Sequence, residues 1–291
     1  MSVYKRSYRP YSGPLEGSGA RFLTMIQYAL MDLWTSRITA VLSILCLVPA
    51  LISLATLYIM NSPTIRMLIG SGMTPIPIDE RFFWIVLQTQ CWPALVLTAW
   101  IGPWVVTTDM TNTALPIILS HPVSRTEYVL AKFSLLAGYL SAVSWIPTLL
   151  LFGFQSYMSP IPWAENYLHI ALGILVGGVI WVALLALIAL ATAAWVKWRI
   201  VATMMVVAAV FVPAGVGGVY NSVMHTEWGS LVNIPVMMTT LWRRLLRVDL
   251  PAFATRYDIP TYAILLALTF ICVGCVAALN ARIRAREVVR G

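Results

Sequence analysis

Tyr167-Leu-His-Ile-Ala-Leu-Gly-Ile-Leu-Val-Gly-Gly-Val-Ile-Trp-Val-Ala-Leu-Leu-Ala-Leu-Ile-Ala-Leu-Ala-Thr-Ala-Ala-Trp-Val196 runs for 30 residues without one Asp, Glu, Lys or Arg. A helix rises 1.5 Å per residue, so about 20 apolar residues cross the hydrocarbon core of a bilayer, and this run exceeds that length. Five further charge-free stretches satisfy the same test, at about 38 to 60, 83 to 106, 133 to 158, 200 to 220 and 260 to 280. Six helices then use most of the 291 residues. With 60% hydrophobic and 10% charged residues, the chain lies outside the composition of water-soluble domains and within that of polytopic membrane proteins.

Residues 1 to 20 form a polar tail of Tyr, Ser, Pro and Gly with no apolar centre, unlike a cleaved signal peptide, so the first span is expected to stay as an anchor. Residues 21 to 291 read as a single transmembrane domain. The Lys and Arg residues set its orientation. The amino end (Lys5, Arg6, Arg9, Arg21, Arg37), two loops (Arg125, Lys132, Lys197, Arg199) and the tail (Arg282, Arg284, Arg286, Arg290) hold thirteen of the 19, and the other side holds six. Acidic residues divide five against six, as expected of a rule that concerns Lys and Arg rather than net charge. Both termini are therefore expected in the cytoplasm, in a multi-pass protein of the inner (plasma) membrane. The net charge of +8 follows from this bias and does not indicate a nucleic-acid partner.

Cys46, Cys91, Cys272 and Cys275 all fall within spans, which argues against a disulfide framework. Cys272-x-x-Cys275 has a redox or metal spacing, but no His or charge accompanies it in its span, and packing accounts for it. His121 falls on the cytoplasmic side, whereas His169 and His225 fall towards the other, so no shared metal site is expected. The 13 methionines suit apolar packing better than Cu(I) transport. A phosphate-binding loop needs Gly directly before Lys, and Lys5, Lys132 and Lys197 follow Tyr, Ala and Val. The six stretches hold no ionisable side chain of the kind used by ion-coupled carriers except His169 at one end. No His-Glu-x-x-His helix, carboxylate pair or Ser/His/Asp set points to an enzyme. The chain is expected to carry no catalytic residue, metal or cofactor of its own.

From Arg21 to Arg37 the apolar residues Phe22, Met25, Ile26, Ala29, Leu30, Leu33 and Trp34 recur at helical spacing among polar ones, which predicts an amphipathic helix in the cytoplasmic interface. Pro49, Pro93, Pro103, Pro147 and Pro213 are expected to kink their spans. Gly173, Gly177 and Gly178 form a small-x-x-x-small surface open to another helix. Between spans five and six, residues 221 to 258 are too long for a plain loop. Within them Leu241, Trp242, Leu245 and Leu246 alternate with Arg243, Arg244 and Arg247, which predicts an external interfacial helix whose arginines meet lipid headgroups or an anionic substrate.

Asp109 to Lys132 is a polar island between spans two and three. Ser124-x-x-Glu127 has capping-box spacing, with Val123 and Tyr128 at the staple positions, so the third helix has a defined start. Upstream, Thr113 can cap a short helix through Ser120 that holds Pro116 in its first turn, and His121-Pro122 ends it. Leu115, Ile118 and Leu119 are available for an apolar contact. The run Ile118-Leu119-Ser120-His121-Pro122-Val123-Ser124-Arg125 resembles the Leu-Leu-Ser-x-Pro-x-Ser-Arg-like run of the permease subunits of type-two ATP-binding-cassette exporters, where a short cytoplasmic coupling helix leads into the third span. His121 departs from that family, which more usually has a basic or small residue there.

The resemblance implies an all-α integral membrane protein with six transmembrane helices, a cytoplasmic amino-terminal connecting helix (Phe22, Ile26, Leu30, Leu33, Trp34), a coupling helix between spans 2 and 3, and an external helix between spans 5 and 6. It implies ATPase coupling through Asp109, Thr113, Leu115, Pro116, Ile118, Leu119, Ser120, His121, Pro122, Ser124, Arg125 and Glu127. Separate ATPase subunits would bind ATP and magnesium, a second permease subunit, identical or homologous, would complete the pathway, and the cargo would be hydrophobic or amphipathic. The residues alone leave two rivals open, a membrane scaffold that recruits a cytoplasmic complex and an ion-driven carrier.

Overall fold

The computed structural model describes residues 18–62, 77–111, 125–159, 162–196, 198–249 and 259–282. These form α1 (Ser18–Thr35), α2 (Arg37–Asn61), α3 (Glu80–Thr111), α4 (Arg125–Val143), α5 (Trp145–Met158), α6 (Pro162–Asn166), α7 (Leu168–Trp195), α8 (Arg199–Met224), a 3-10 turn (Trp228–Val232), α9 (Ile234–Leu245) and α10 (Thr261–Arg282). Among the described residues all regular structure is helical, and six segments are long and apolar enough to cross a membrane: Arg37–Asn61, Glu80–Thr107, Thr126–Met158, Leu168–Trp195, Arg199–Met224 and Thr261–Arg282.

The charge-free run that opened the sequence becomes the central post. α7 packs against α3, α4, α5, α8, α9 and α10. In its most apolar window 67% of the residues are buried, against 22% in α2, α8 and α10, which form the periphery. Gly102 of α3 lies directly on Ala189 of α7, so the two most buried helices approach at the closest distance their backbones allow. The peripheral helices turn Ile38, Val41, Ile44, Leu51, Val212, Val216, Leu266, Phe270 and Val273 outward. An apolar coat on this scale fits a chain surrounded by lipid.

Side-chain contacts fix which helix ends lie together. Arg199 over Trp100 and Trp104, and Trp195 Nε1 donating to Ala278 O at 3.3 Å, join the end of α3, the α7–α8 junction and the end of α10. At the opposite end His169 Nε2 lies 3.6 Å from Glu80 Oε1, and Asn61 Nδ2 donates to Gln155 Oε1 at 2.7 Å. Exposed Trp34, Trp195 and Trp198 ring the first end, and exposed Tyr58, Tyr157, Trp228 and Tyr262 ring the second. Two aromatic belts separated by an apolar coat are the expected pattern for a bilayer-spanning bundle.

The third span differs from the expected 133 to 158. It begins at Thr126, includes Lys132, and breaks at Ser144 into α4 and α5. Pro147 explains the break, because its ring would clash with the carbonyl of Val143, four residues earlier, and it lacks the N–H that would bond there. Ser144 Oγ turns back onto Leu140 O at 2.6 Å. Pro49, Pro93, Pro103 and Pro213 instead lie inside continuous helices. In two of them a side chain caps the neighbourhood of the proline: Ser53 Oγ donates to Pro49 O at 2.8 Å and Thr107 Oγ1 to Pro103 O at 2.7 Å. The amphipathic helix also ends earlier than Arg37. Ser36 is extended (φ −76°, ψ 113°), and its Oγ accepts from the amide of Thr39, so α1 stops at Thr35 and Arg37 opens α2.

α9 departs most from expectation. Its apolar face does not lie against headgroups but enters the bundle, burying Met237, Met238, Leu241, Trp242 and Leu246. The small-residue surface of α7 receives it: Gly177 lies against the Trp242 ring, and Gly173 against Leu245 and Leu246. Asn233 caps its start, accepting from the amide of Val236 at 3.2 Å. A Schellman turn ends it, with Val248 N–H donating to Arg243 O at 2.9 Å and Arg247 N–H to Arg244 O at 3.2 Å. Arg247 therefore takes the left-handed conformation (φ 58°) that glycine usually fills.

Candidate functional site

The residues singled out for coupling fall, in sequence, on or between the end of α3 and the start of α4, which lie at the end of the bundle that bears α1. Of these, Thr113, Leu115, Pro116, Ile118, Leu119, Ser120, His121, Pro122 and Ser124 lie outside the described residues. Asp109 belongs to the last turns of α3 and Arg125 opens α4, so long helices flank the island on both sides. The third span counts 33 residues, about 50 Å of helix, against a hydrocarbon core of about 30 Å. Arg125, Glu127 and Lys132 occupy the first two turns of α4, so the excess length lies at the island end. Tyr128 is buried there with the ammonium of Lys132 5.6 Å from its ring centroid.

α1 packs on α4 and on the start of α2. Its seam is Ile26, Ala29, Leu30 and Leu33, of which Leu33 is fully buried, whereas Leu23, Met31 and Trp34 stay exposed beside it. The helix thus has two apolar strips. One packs on the third span and the other stays exposed. Of the five residues expected on the connecting helix, Ile26, Leu30 and Leu33 share the inner strip and Trp34 lies on the outer one.

The three arginines expected on the interfacial helix separate. Arg244 is half-buried, and its guanidinium donates to Thr261 Oγ1 at 2.5 Å and to Ile259 O, tying α9 to the first turn of α10. Arg243 is half-buried and Arg247 is exposed. Hydrogen bonds from a charged donor contribute about 1.5–3 kcal/mol. Arg244→Gln is therefore expected to lower the unfolding temperature in detergent and to speed proteolysis between α9 and α10. An unchanged melting curve and cleavage rate would reduce these bonds to surface contacts.

Sequence reasoning missed a polar seam within the spans. Thr148 Oγ1 of α5 donates to Gln90 Oε1 of α3 at 2.5 Å, and both residues are buried. Around them lie Ser144, Trp145, Gly178, Trp181 and Trp242, which with Leu87, Gln90 and Cys91 line a cavity of about 10 Å³, room for the centre of one water molecule. Gln90 Nε2 and the indole N–H groups of Trp145, Trp181 and Trp242 are buried without an acceptor among the described residues. Trp181 and Trp242 meet edge to face at 6.0 Å. The signal was Gln90 and Thr148 themselves, uncharged polar residues that pass a test for charges yet must find partners in hydrocarbon.

His169 and His225 stand at the end opposite α1, and among the described residues no three His, Cys, Asp or Glu side chains gather as a metal site would require. The four cysteines are unpaired, with Cys46 and Cys91 buried. No protein-family model matches the chain, and no curated protein matches it.

Proposed function

We propose that the chain is the membrane-spanning permease subunit of an ATP-driven exporter for hydrophobic or amphipathic cargo, powered by separate ATPase subunits. The observation that supports this reading is the length of the third span, whose 33 residues exceed the roughly 20 that a bilayer needs, with α1 packed on α4 where the chain leaves the island. A force applied to residues 112 to 124 by a cytoplasmic partner passes into the third span through a stiff helix. The helix break at Ser144 gives that span a joint near its middle. α1 adds a second grip, fixed to α4 by one strip and to the membrane surface by the other. A partner biases such a bundle only if it contacts two arrangements differently, so the island and α1 are where that difference is expected.

Both termini and the island face the cytoplasm in this reading, in the inner (plasma) membrane, and a second permease subunit covers part of the outward surface of α2, α8 or α10. The test is mild-detergent affinity purification with mass spectrometry and an ATPase assay on the eluate. A stoichiometric partner bearing a phosphate-binding loop, lost when the island is altered, is the expected result. A chain that purifies alone and without ATPase activity would move the reading to the scaffold or the ion-driven carrier.

A further inference from the structure

α3 and α8 run side by side in opposite directions, since Arg199 at the start of α8 lies over Trp100 and Trp104 near the end of α3. Midway along both, Trp92 stacks on Phe211 with ring centroids 6.0 Å apart, and both rings stay about half exposed. One turn from this stack, towards the end opposite α1, α3 presents Gln88 and α8 presents Gly215. Gly218 follows on the same side of α8. Both glycines are exposed, and nothing lies within 4 Å of a Cβ at either.

Gln88 sets this surface apart from an ordinary lipid-facing one. The amides of Asn61, Gln90, Gln155 and Asn221 each bond another side chain of the chain. Gln88 has no hydrogen bond among the described residues, and its half-buried side chain leaves the amide at the outer surface rather than sealed in the bundle. The Trp92 N–H has no acceptor among the described residues either. At 1.5 Å per residue Gln88 lies roughly 8 Å from the middle of the Glu80–Thr107 span, inside the roughly 15 Å half-thickness of the hydrocarbon core. Hydrocarbon offers such a group no partner, and leaving it unpaired is costly.

We infer that this face of α3 and α8 is covered by a second copy of the chain, with the Gln88 amides of the two copies paired across a two-fold axis. A carboxamide carries both donor and acceptor, so an identical group related by a two-fold axis complements it. Each amide oxygen keeps a lone pair for an indole N–H. Gly215 and Gly218 let the second backbone approach closely, as small residues do between membrane helices. A passing cargo would leave the amide unpaired between turnovers, whereas a second copy pairs it throughout. The inference goes beyond the exporter reading, because a scaffold or a carrier would present the same face.

The test labels the full chain at an amino-terminal tag with donor or acceptor dyes, reconstitutes it in phosphatidylcholine vesicles and reads energy transfer as the protein-to-lipid ratio falls. The wild-type chain is expected to form a dimer. Gln88→Leu is expected to raise the dimer dissociation constant roughly 3- to 30-fold, the range that interhelical hydrogen bonds contribute in membranes, and Gln88→Asn to fall between. Should Gln88→Leu fold poorly, Gly215→Ile separates the copies by bulk alone. Gly274→Ile on α10, equally open, is the control that leaves the dimer unchanged. A wild-type chain that stays monomeric at every ratio overturns the inference, and so does an unchanged dissociation constant in the folded variants. Neither ATP nor an ATPase enters the assay, so its failure leaves the exporter reading to be judged by the purification.

Discussion

Gly177→Val expels α9 from the bundle. A Cβ at this position would overlap the Trp242 ring, which is itself fully buried against Trp181. The ring has no empty volume to move into beyond the small cavity beside Gln90, and Gly173 one turn away offers no slack because Leu245 and Leu246 already touch it. Overpacking a tight core costs up to about 3 kcal/mol. Expelling α9 also exposes Met237, Met238 and Leu241 and releases the hold of Arg244 on α10, so the loss exceeds that of a single clash. The measurement is the unfolding temperature and the monodisperse fraction in detergent, beside Gly274→Val as control, because nothing lies within 4 Å of a Cβ at Gly274. A large fall for Gly177→Val with none for Gly274→Val is expected. Equal melting of the two would mean that α9 is not held by α7.

The second large effect tests the island. On the proposed exporter reading, Leu119→Ala combined with Glu127→Ala is expected to reduce transport by roughly 5- to 150-fold, the range of typical coupling free energies between sites, while ATP hydrolysis by the proposed ATPase partner continues. Leu119 is one of the apolar residues that the sequence makes available for a contact, and Glu127 lies in the first turn of α4. The assay is uptake into inverted vesicles alongside phosphate release, with the unfolding temperature as a check that the bundle is intact. Normal transport by a folded double variant would remove these two residues from any coupling role.

The spans were legible because hydrocarbon imposes a simple rule of length and charge. The expected 167 to 196, 200 to 220 and 260 to 280 became Leu168–Trp195, Arg199–Met224 and Thr261–Arg282. The third span was misjudged at its start because Lys132 reads as a boundary, whereas a long helix carries that charge outside the core at no loss of helical bonding. Its break at Ser144 was foreshadowed by Pro147, but four other prolines left their helices continuous, so residue type alone did not separate a joint from a tolerated kink. The buried seam of Gln90, Thr148 and three indoles was illegible for another reason. Its members come from four elements far apart in the chain, and each one alone looks like an ordinary residue of an apolar helix.

Taken alone, the sequence determined that six helices are long and apolar enough to cross a membrane, where an amphipathic helix precedes the first, and which glycines open α7 to a close neighbour. Those properties depend on local composition and periodicity, because each span must satisfy its own backbone within hydrocarbon. Only the tertiary structure decided which neighbour filled the opening. α9 has the periodicity of an interfacial helix, and an apolar strip facing lipid has the same sequence signature as one facing protein. The difference lies in the shape of Gly173 and Gly177 against Trp242 and Leu246. Complementarity between segments some 70 residues apart, rather than hydrophobicity, turned an expected surface helix into part of the core.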